Sequence, residues 1–129
     1  MAGIDSHRAS RPKGWNVVEE PYALALALRR ADAAGHVLIV DCLTLWVTQM
    51  LEDPSRLHRE IEDLLTTLPT LRSPVWLIGN ETGLGIMPLG QLTRDFIDIT
   101  GRLHQNLAQQ CDRVIFMLAG LAQPIKGNL

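Results

Sequence analysis

Val75-Trp76-Leu77-Ile78-Gly79-Asn80-Glu81-Thr82-Gly83-Leu84-Gly85-Ile86-Met87-Pro88 is the stretch from which the fold is read, because an apolar run stops abruptly at an amide and a carboxylate. The run reads as a buried strand opening into a glycine-rich polar loop. Gly83 and Gly85 flank one leucine, and glycine takes positive φ without a Cβ clash, so the backbone can turn tightly and approach a ligand. Pro88 restricts the exit. In an open α/β sheet, ligands sit just outside the carboxyl ends of the strands, which is where Asn80 and Glu81 stand. An ordinary strand-to-helix loop with a solvated acid fits the same residues, since a short glycine loop alone is a weak motif.

Working outward, Val37-Leu38-Ile39-Val40 is a second short apolar run, and it also ends in an acid, Asp41. Such a run is the pattern of a strand covered on both faces in a parallel sheet. Residues 43–51 follow with Leu43, Trp46, Val47 and Met50 on one helical face. Pro54 interrupts before a helix over 55–68, whose apolar stripe is Leu57, Ile61, Leu64, Leu65 and Leu68. Its charged face (Arg56, Arg59, Glu60, Glu62, Asp63) reads as solvated surface. Beyond the glycine loop, Leu92, Phe96, Ile99, Leu103 and Leu107 step by helical spacing, giving a long amphipathic helix over 91–109. Residues 113–118 return as a strand, and 119–129 add a last one that Pro124 assigns to an edge.

Toward the N-terminus, Glu19-Glu20-Pro21 opens a helix over 22–33, with acids before the first turn and proline near its start. Gly35 closes it. Residues 15–18 read as a short strand, and 1–13 carry no period that commits them to helix or strand. The alternation of strand and helix predicts an α/β fold with a mainly parallel sheet in a single domain over 1–129.

Composition narrows the function classes. A hydrophobic share of 47% over 129 residues supports one packed core. A net charge of -2 gives no basic field for nucleic acid. No apolar run approaches the ~20 residues of a bilayer span, and the first residues lack a secretory apolar core. Cys42 and Cys111 have no metal-type spacing and read as reduced, in a cytoplasmic protein.

Three polar sites fall where parallel-sheet enzymes keep their chemistry: Asp41 with Thr44, Asn80 with Glu81, and His7. An apolar strand ending in Asp and followed by Thr suits a phosphoryl-transfer site that holds Mg²⁺ through its water shell. Capping of the helix that starts near Leu43 is the equally open alternative for Asp41. His36, at a helix end, and His58, on a charged face, read as structural or surface residues.

Four ordered stretches carry a resemblance. His7-Arg8-Ala9-Ser10-Arg11-Pro12, Val40-Asp41-Cys42-Leu43-Thr44-Leu45-Trp46, Asn80 through Pro88, and Gly101-Arg102-Leu103-His104-Gln105 resemble the signatures of the bifunctional adenosylcobinamide kinase / adenosylcobinamide-phosphate guanylyltransferase family of cobalamin biosynthesis. The likeness runs from about residue 7 to 126. It implies a P-loop, RecA-like α/β fold, a homo-oligomer (a trimer in that family), and two reactions. The first phosphorylates the aminopropanol hydroxyl of adenosylcobinamide with ATP or GTP. The second transfers GMP from GTP to adenosylcobinamide phosphate through a guanylylated histidine. By resemblance, His7 is the nucleophile, Asp41 positions Mg²⁺, and Arg11, Asn80, Glu81, Gly83, Gly85 and Arg102 line the nucleotide and corrinoid site. Arg102 is also spaced to pair with Asp98 one turn earlier, and that pairing is the favoured reading of its side chain.

The departures are as specific as the matches. Family members carry a strand, a glycine-rich loop ending in Gly-Lys-Ser, a helix and a second strand ahead of the histidine segment. Here no G-x-x-x-x-G-K-[ST] occurs, and the only lysines are Lys13 and Lys126. Ser6 stands where the family often has a second histidine, and His104 where its Gly-Arg-x-Asn-Gln motif has Asn. The expectation is an N-terminally truncated member of the family. A catalytically inactive remnant that binds corrinoid or a full-length paralogue is the alternative function.

Overall fold

The computed structural model describes residues 14–81 and 90–129. In chain order the elements are α1 (Leu24–Ala31), β1 (Leu38–Asp41), α2 (Leu43–Gln49), α3 (Pro54–Thr67) with a 3₁₀ turn at Leu68–Thr70, β2 (Val75–Ile78), α4 (Gln91–Gln110), β3 (Val114–Leu118) and β4 (Leu121–Lys126). Strand and helix alternate, as the apolar periods predict.

Each boundary has a local cause. Oε1 of Glu20 accepts from the backbone N–H groups of Tyr22 and Ala23, at 3.0 and 2.9 Å, and these bonds hold its carboxyl below the usual range. The helix then begins at Leu24, two residues later than the proline position suggested. Asp53 caps α3 by accepting from Arg56 N, and Pro54 lies in the first turn, where its missing N–H costs nothing. The strand expected over 15–18 is absent. Trp15 and Val18 are exposed, and among the described residues no neighbouring strand supplies hydrogen bonds.

β1 and β2 pair in parallel, Leu38 opposite Val75 through Asp41 opposite Ile78. Both ends of this pair are pinned by side chains from distant sequence. At the start, Asp32 accepts from Arg72 N and Ser73 N, while the Ser73 hydroxyl donates to the Ala33 carbonyl at 3.0 Å. Those N–H donors hold the Asp32 carboxyl below its ordinary range, so it is anionic at neutral pH and its bonds are charge-assisted. This contact also explains why α1 stops at Ala31, because Asp32 leaves the helix in an extended conformation to reach the strand entrance. At the far end, the Asn80 amide donates to the Thr44 hydroxyl at 2.8 Å.

The core lies on one side of this pair. Leu28, Val40, Leu43, Trp46, Val47, Met50, Leu57, Leu64, Leu103 and Leu107 form one buried cluster, with Leu38, Val75, Leu77, Phe96 and Ile99 packed against it. The stripes predicted for α2 and α3 supply its centre. Arg29 ties α1 to α3 through Asp63 and Thr67, and the Gln110 amide ties α4 to the Leu65 carbonyl. The outward face of the strands carries Ile39, Asp41, Trp76 and Ile78, and its three apolar residues are close to half exposed. The expectation of a strand covered on both faces is therefore corrected for β1: among the described residues the core packs against one face of the two-stranded pair.

Among the described residues, parallel pairing is confined to β1 and β2. β3 and β4 form an antiparallel hairpin, a separate two-stranded sheet among the described residues. Its two-residue turn, Ala119-Gly120, has φ of 52° and 75°, the doubly positive geometry that matches the twist of a tight hairpin. Pro124 sits in β4, which among the described residues has β3 as its one neighbour, in keeping with the missing N–H. Lys126 Nζ docks the hairpin on α4 by donating to the Ala108 and Gln109 carbonyls, a cation at a helix C-terminus. Both cysteines are free thiols, as expected, and burial pushes the Cys111 thiol up. No helix among the described residues is long and apolar enough to cross a membrane.

Candidate functional site

The register of the parallel pair puts the two polar strand ends side by side, since Asp41 is opposite Ile78 and Gly79-Asn80-Glu81 follow directly. Asp41 is exposed on the outward face. The helix-capping role left open for it falls instead to Cys42, whose Sγ accepts from Leu45 N at 3.5 Å. The Asp41–Cys42 peptide is cis.

Thr44 joins the two ends. It sits in the first turn of α2, accepts the Asn80 N–H, and has its own carbonyl bonded by the Thr48 hydroxyl one turn on. One side chain thereby fixes the exit of β2 relative to the exit of β1. The sequence pairs Asp41 with Thr44 by proximity but gives no sign of this cross-strand bond, which depends on the parallel register.

On the other side of the β2 exit stands His104. This half-buried residue of α4 approaches Gly79 so closely that a methyl group at position 79 would lie 3.2 Å from His104 Nε2 and 3.6 Å from Leu43 Cβ. Sequence reasoning placed Gly79 at a strand end and His104 in a departing motif, without bringing them together. The available signal was phase: His104 directly follows Leu103, which faces the core.

Arg102 is exposed on α4, and the ion pair expected with Asp98 does not form. Both side chains point into solvent, where a single exposed pair gains too little to hold two side chains in one geometry. His36 and His58 behave as predicted: one bonds the Ala31 carbonyl at the end of α1, the other lies 3.3 Å from exposed Glu62. His7, Arg11, Gly83 and Gly85 lie outside the described residues.

Two shallow clefts open elsewhere. One of about 390 Å³ lies along α1 between Val18, Glu20 and Arg30, and one of about 240 Å³ is lined by Thr48, Leu51, Thr93 and Phe96. Neither is lined by Asp41, Asn80, Glu81 or Arg102. Among the described residues no group of three or more His, Cys, Asp or Glu side chains forms a cage for a metal ion. Asp41 ends β1 and Thr44 lies in the first turn of α2, oxygen donors of the kind that suits a Mg²⁺ keeping most of its waters.

Comparison with known proteins decides the family. Residues 1–125 match the model of the cobinamide kinase / cobinamide phosphate guanyltransferase family. The chain belongs to this family. Similar curated proteins include the bifunctional adenosylcobalamin biosynthesis protein CobP of Pseudomonas aeruginosa, 52% identical over 127 residues that cover 97% of this chain and 73% of the relative. The bifunctional adenosylcobalamin biosynthesis protein CobU of Escherichia coli is 31% identical over 140 residues, covering 97% of this chain and 77% of the relative. The CobU protein of Salmonella typhimurium matches to the same extent. The resemblance drawn from four sequence signatures is thus borne out at the level of the family, and the mixed α/β architecture with its small parallel pair is in keeping with it.

Proposed function

We propose that this chain acts in nucleotide-loop assembly of a corrinoid, phosphorylating adenosylcobinamide with ATP or GTP and then transferring GMP from GTP to adenosylcobinamide phosphate. The observation that carries the reading is the Thr44 to Asn80 bond, which holds the acid ending β1 beside the Asn80-Glu81 exit of β2. That juxtaposition at the carboxyl ends of parallel strands is where α/β proteins bind phosphorylated ligands. Membership of a kinase and guanyltransferase family, and relatives named for adenosylcobalamin biosynthesis, support the substrate class.

In this reading a His7 ring nitrogen bonds to the α-phosphorus of GTP as the bond from that phosphorus to the bridging oxygen breaks and pyrophosphate leaves. A phosphate oxygen of adenosylcobinamide phosphate then displaces His7 and yields adenosylcobinamide-GDP. A covalent intermediate divides one difficult transfer into two easier ones. Asp41 and Thr44 are the residues that hold hydrated Mg²⁺, which when bound supplies charge neutralisation at the phosphate oxygens. Asn80 and Glu81 form the wall beside it. Arg102, unpaired with Asp98 and exposed on α4, is a cation for substrate phosphate, with Arg11 in the same role from the N-terminal segment. Gly83 and Gly85 allow the loop backbone to approach the ligand. The fold is of the P-loop, RecA-like kind, the compartment is the cytoplasm, and the chain assembles with copies of itself, as the apolar residues on the open sheet face support.

A second reading is favoured by one observation, His104 standing where the family's Gly-Arg-x-Asn-Gln motif has Asn. In it the chain binds corrinoid or a full-length paralogue without catalysing transfer. Calorimetry separates the two. Titration with GTP in the presence of Mg²⁺ is expected to give saturable heat, and so is titration with adenosylcobinamide. Heat from adenosylcobinamide alone selects the second reading, and heat from neither rejects both.

A further inference from the structure

We infer that His104 is a positioning residue for the Asn80-Glu81 turn, acting through close packing beside Gly79 that a side chain at position 79 would crowd; its functional part rests on the proposed nucleotide site. The strand pair ends at Ile78, so residues 79–81 lie beyond the backbone ladder that holds β2 in place. A polar turn at a site gains from rigid support, because a displacement of about 1 Å in a binding or reacting group costs on the order of a hundredfold in rate.

Support comes from three sides. Thr44 fixes the Asn80 amide at 2.8 Å, while Leu43 at the start of α2 and His104 on α4 flank Gly79, with Leu43 Cβ 3.6 Å and His104 Nε2 3.2 Å from the point a Cβ would occupy. Only the first is a hydrogen bond, and it restrains the N–H alone. The other two are steric, and they work because glycine lets the backbone reach both walls. Leu43 is buried, while its neighbour across the turn, His104, is half-buried and stays in reach of solvent at the strand exit. Gly79 has no positive-φ requirement of its own, so close approach is the reason for glycine here.

A contact of this kind predicts non-additivity. Residues that touch couple, whereas a helix residue serving only the stability of α4 acts independently of position 79. Gly79→Ala places its methyl against the imidazole. His104→Ala removes the obstacle, and His104→Gln keeps a side-chain nitrogen near the position of Nε2.

The test is a double-mutant cycle on the full chain, read by the backbone amide resonances of Asn80 and Glu81 and by the Mg²⁺-dependent Kd for GTP. Gly79→Ala alone is expected to shift both amides and to weaken GTP binding about fivefold or more, in the range of coupling between touching residues. In the His104→Ala background the same substitution is expected to weaken binding less than about twofold further. His104→Ala moves the Asn80 and Glu81 amides, and His104→Gln leaves them near their wild-type positions. Additive effects of Gly79→Ala and His104→Ala overturn the inference, as do amides of Asn80 and Glu81 that ignore His104→Ala. Should His104→Ala fail to fold, the Gln variant and Gly79→Ala decide the same question through the amides. Wild type that binds no GTP overturns the proposed site, while the amide shifts still judge the positioning contact.

Discussion

Replacing Asp41 by asparagine is expected to slow GMP transfer on the order of a hundredfold to a thousandfold, the loss that follows removal of one preorganised charge-stabilising group. Unfolding is expected to change little, within about 0.5 kcal/mol, as for most exposed positions. This split is sharp because of where the residue sits. Asp41 lies on the outward face of β1, and Cys42 rather than Asp41 caps α2. If Asp41 were a structural cap, the reverse result would follow: a stability loss of about 0.5–2 kcal/mol with transfer intact. Steady-state turnover with adenosylcobinamide phosphate and GTP, beside a urea melt, distinguishes them.

The largest effect on stability is expected at Leu64. It is fully buried at the centre of the cluster that joins Leu28 of α1, Met50 beyond α2, and Leu103 and Leu107 of α4. Truncation to alanine removes the transfer energy of the lost carbons and leaves a cavity walled by several helices, which cannot all collapse into it. A loss of about 2–5 kcal/mol is expected. Against a typical domain stability of about 5–15 kcal/mol, this is a large fraction of the total. Denaturant titration at fixed protein concentration measures it. A change below about 1 kcal/mol would mean that the helices do not share one core.

The sequence made the interior legible and the surface much less so. Leu43, Trp46, Val47 and Met50 declared their face by spacing alone, and all four are buried. The short apolar runs before Asp41 and Gly79 became the parallel pair, because two runs ending in polar residues have few other places to go in an α/β fold. Failures occurred where a distant partner outweighs local pattern. Asp32 leaves α1 to bind N–H groups forty residues away, and no helix propensity encodes that. Residues 15–18 have strand-like composition but, among the described residues, no strand beside them. For Asp41 the helix-cap reading stood open beside the metal one, and Cys42 takes the cap. The Arg102 to Asp98 pair had correct spacing and no burial to hold it.

The candidate site shows the same division. Asp41, Asn80 and Glu81 were visible as polar ends of apolar runs, since chemistry at strand ends interrupts hydrophobicity. The Thr44 to Asn80 bond and the His104 to Gly79 contact were not, because each needs the register of β2 against β1 and the placement of α4 over it. The family signatures supplied roles that no spacing could, above all for His7.

Retention of radioactivity from α-phosphate-labelled GTP is the most direct test of guanylyl transfer by this chain. Wild type incubated with Mg²⁺ and denatured without acid is expected to hold the label covalently, to release it when adenosylcobinamide phosphate is added before denaturation, and to lose it entirely in His7→Ala. Absence of label on wild type under all conditions, or label that persists in His7→Ala, would contradict the account.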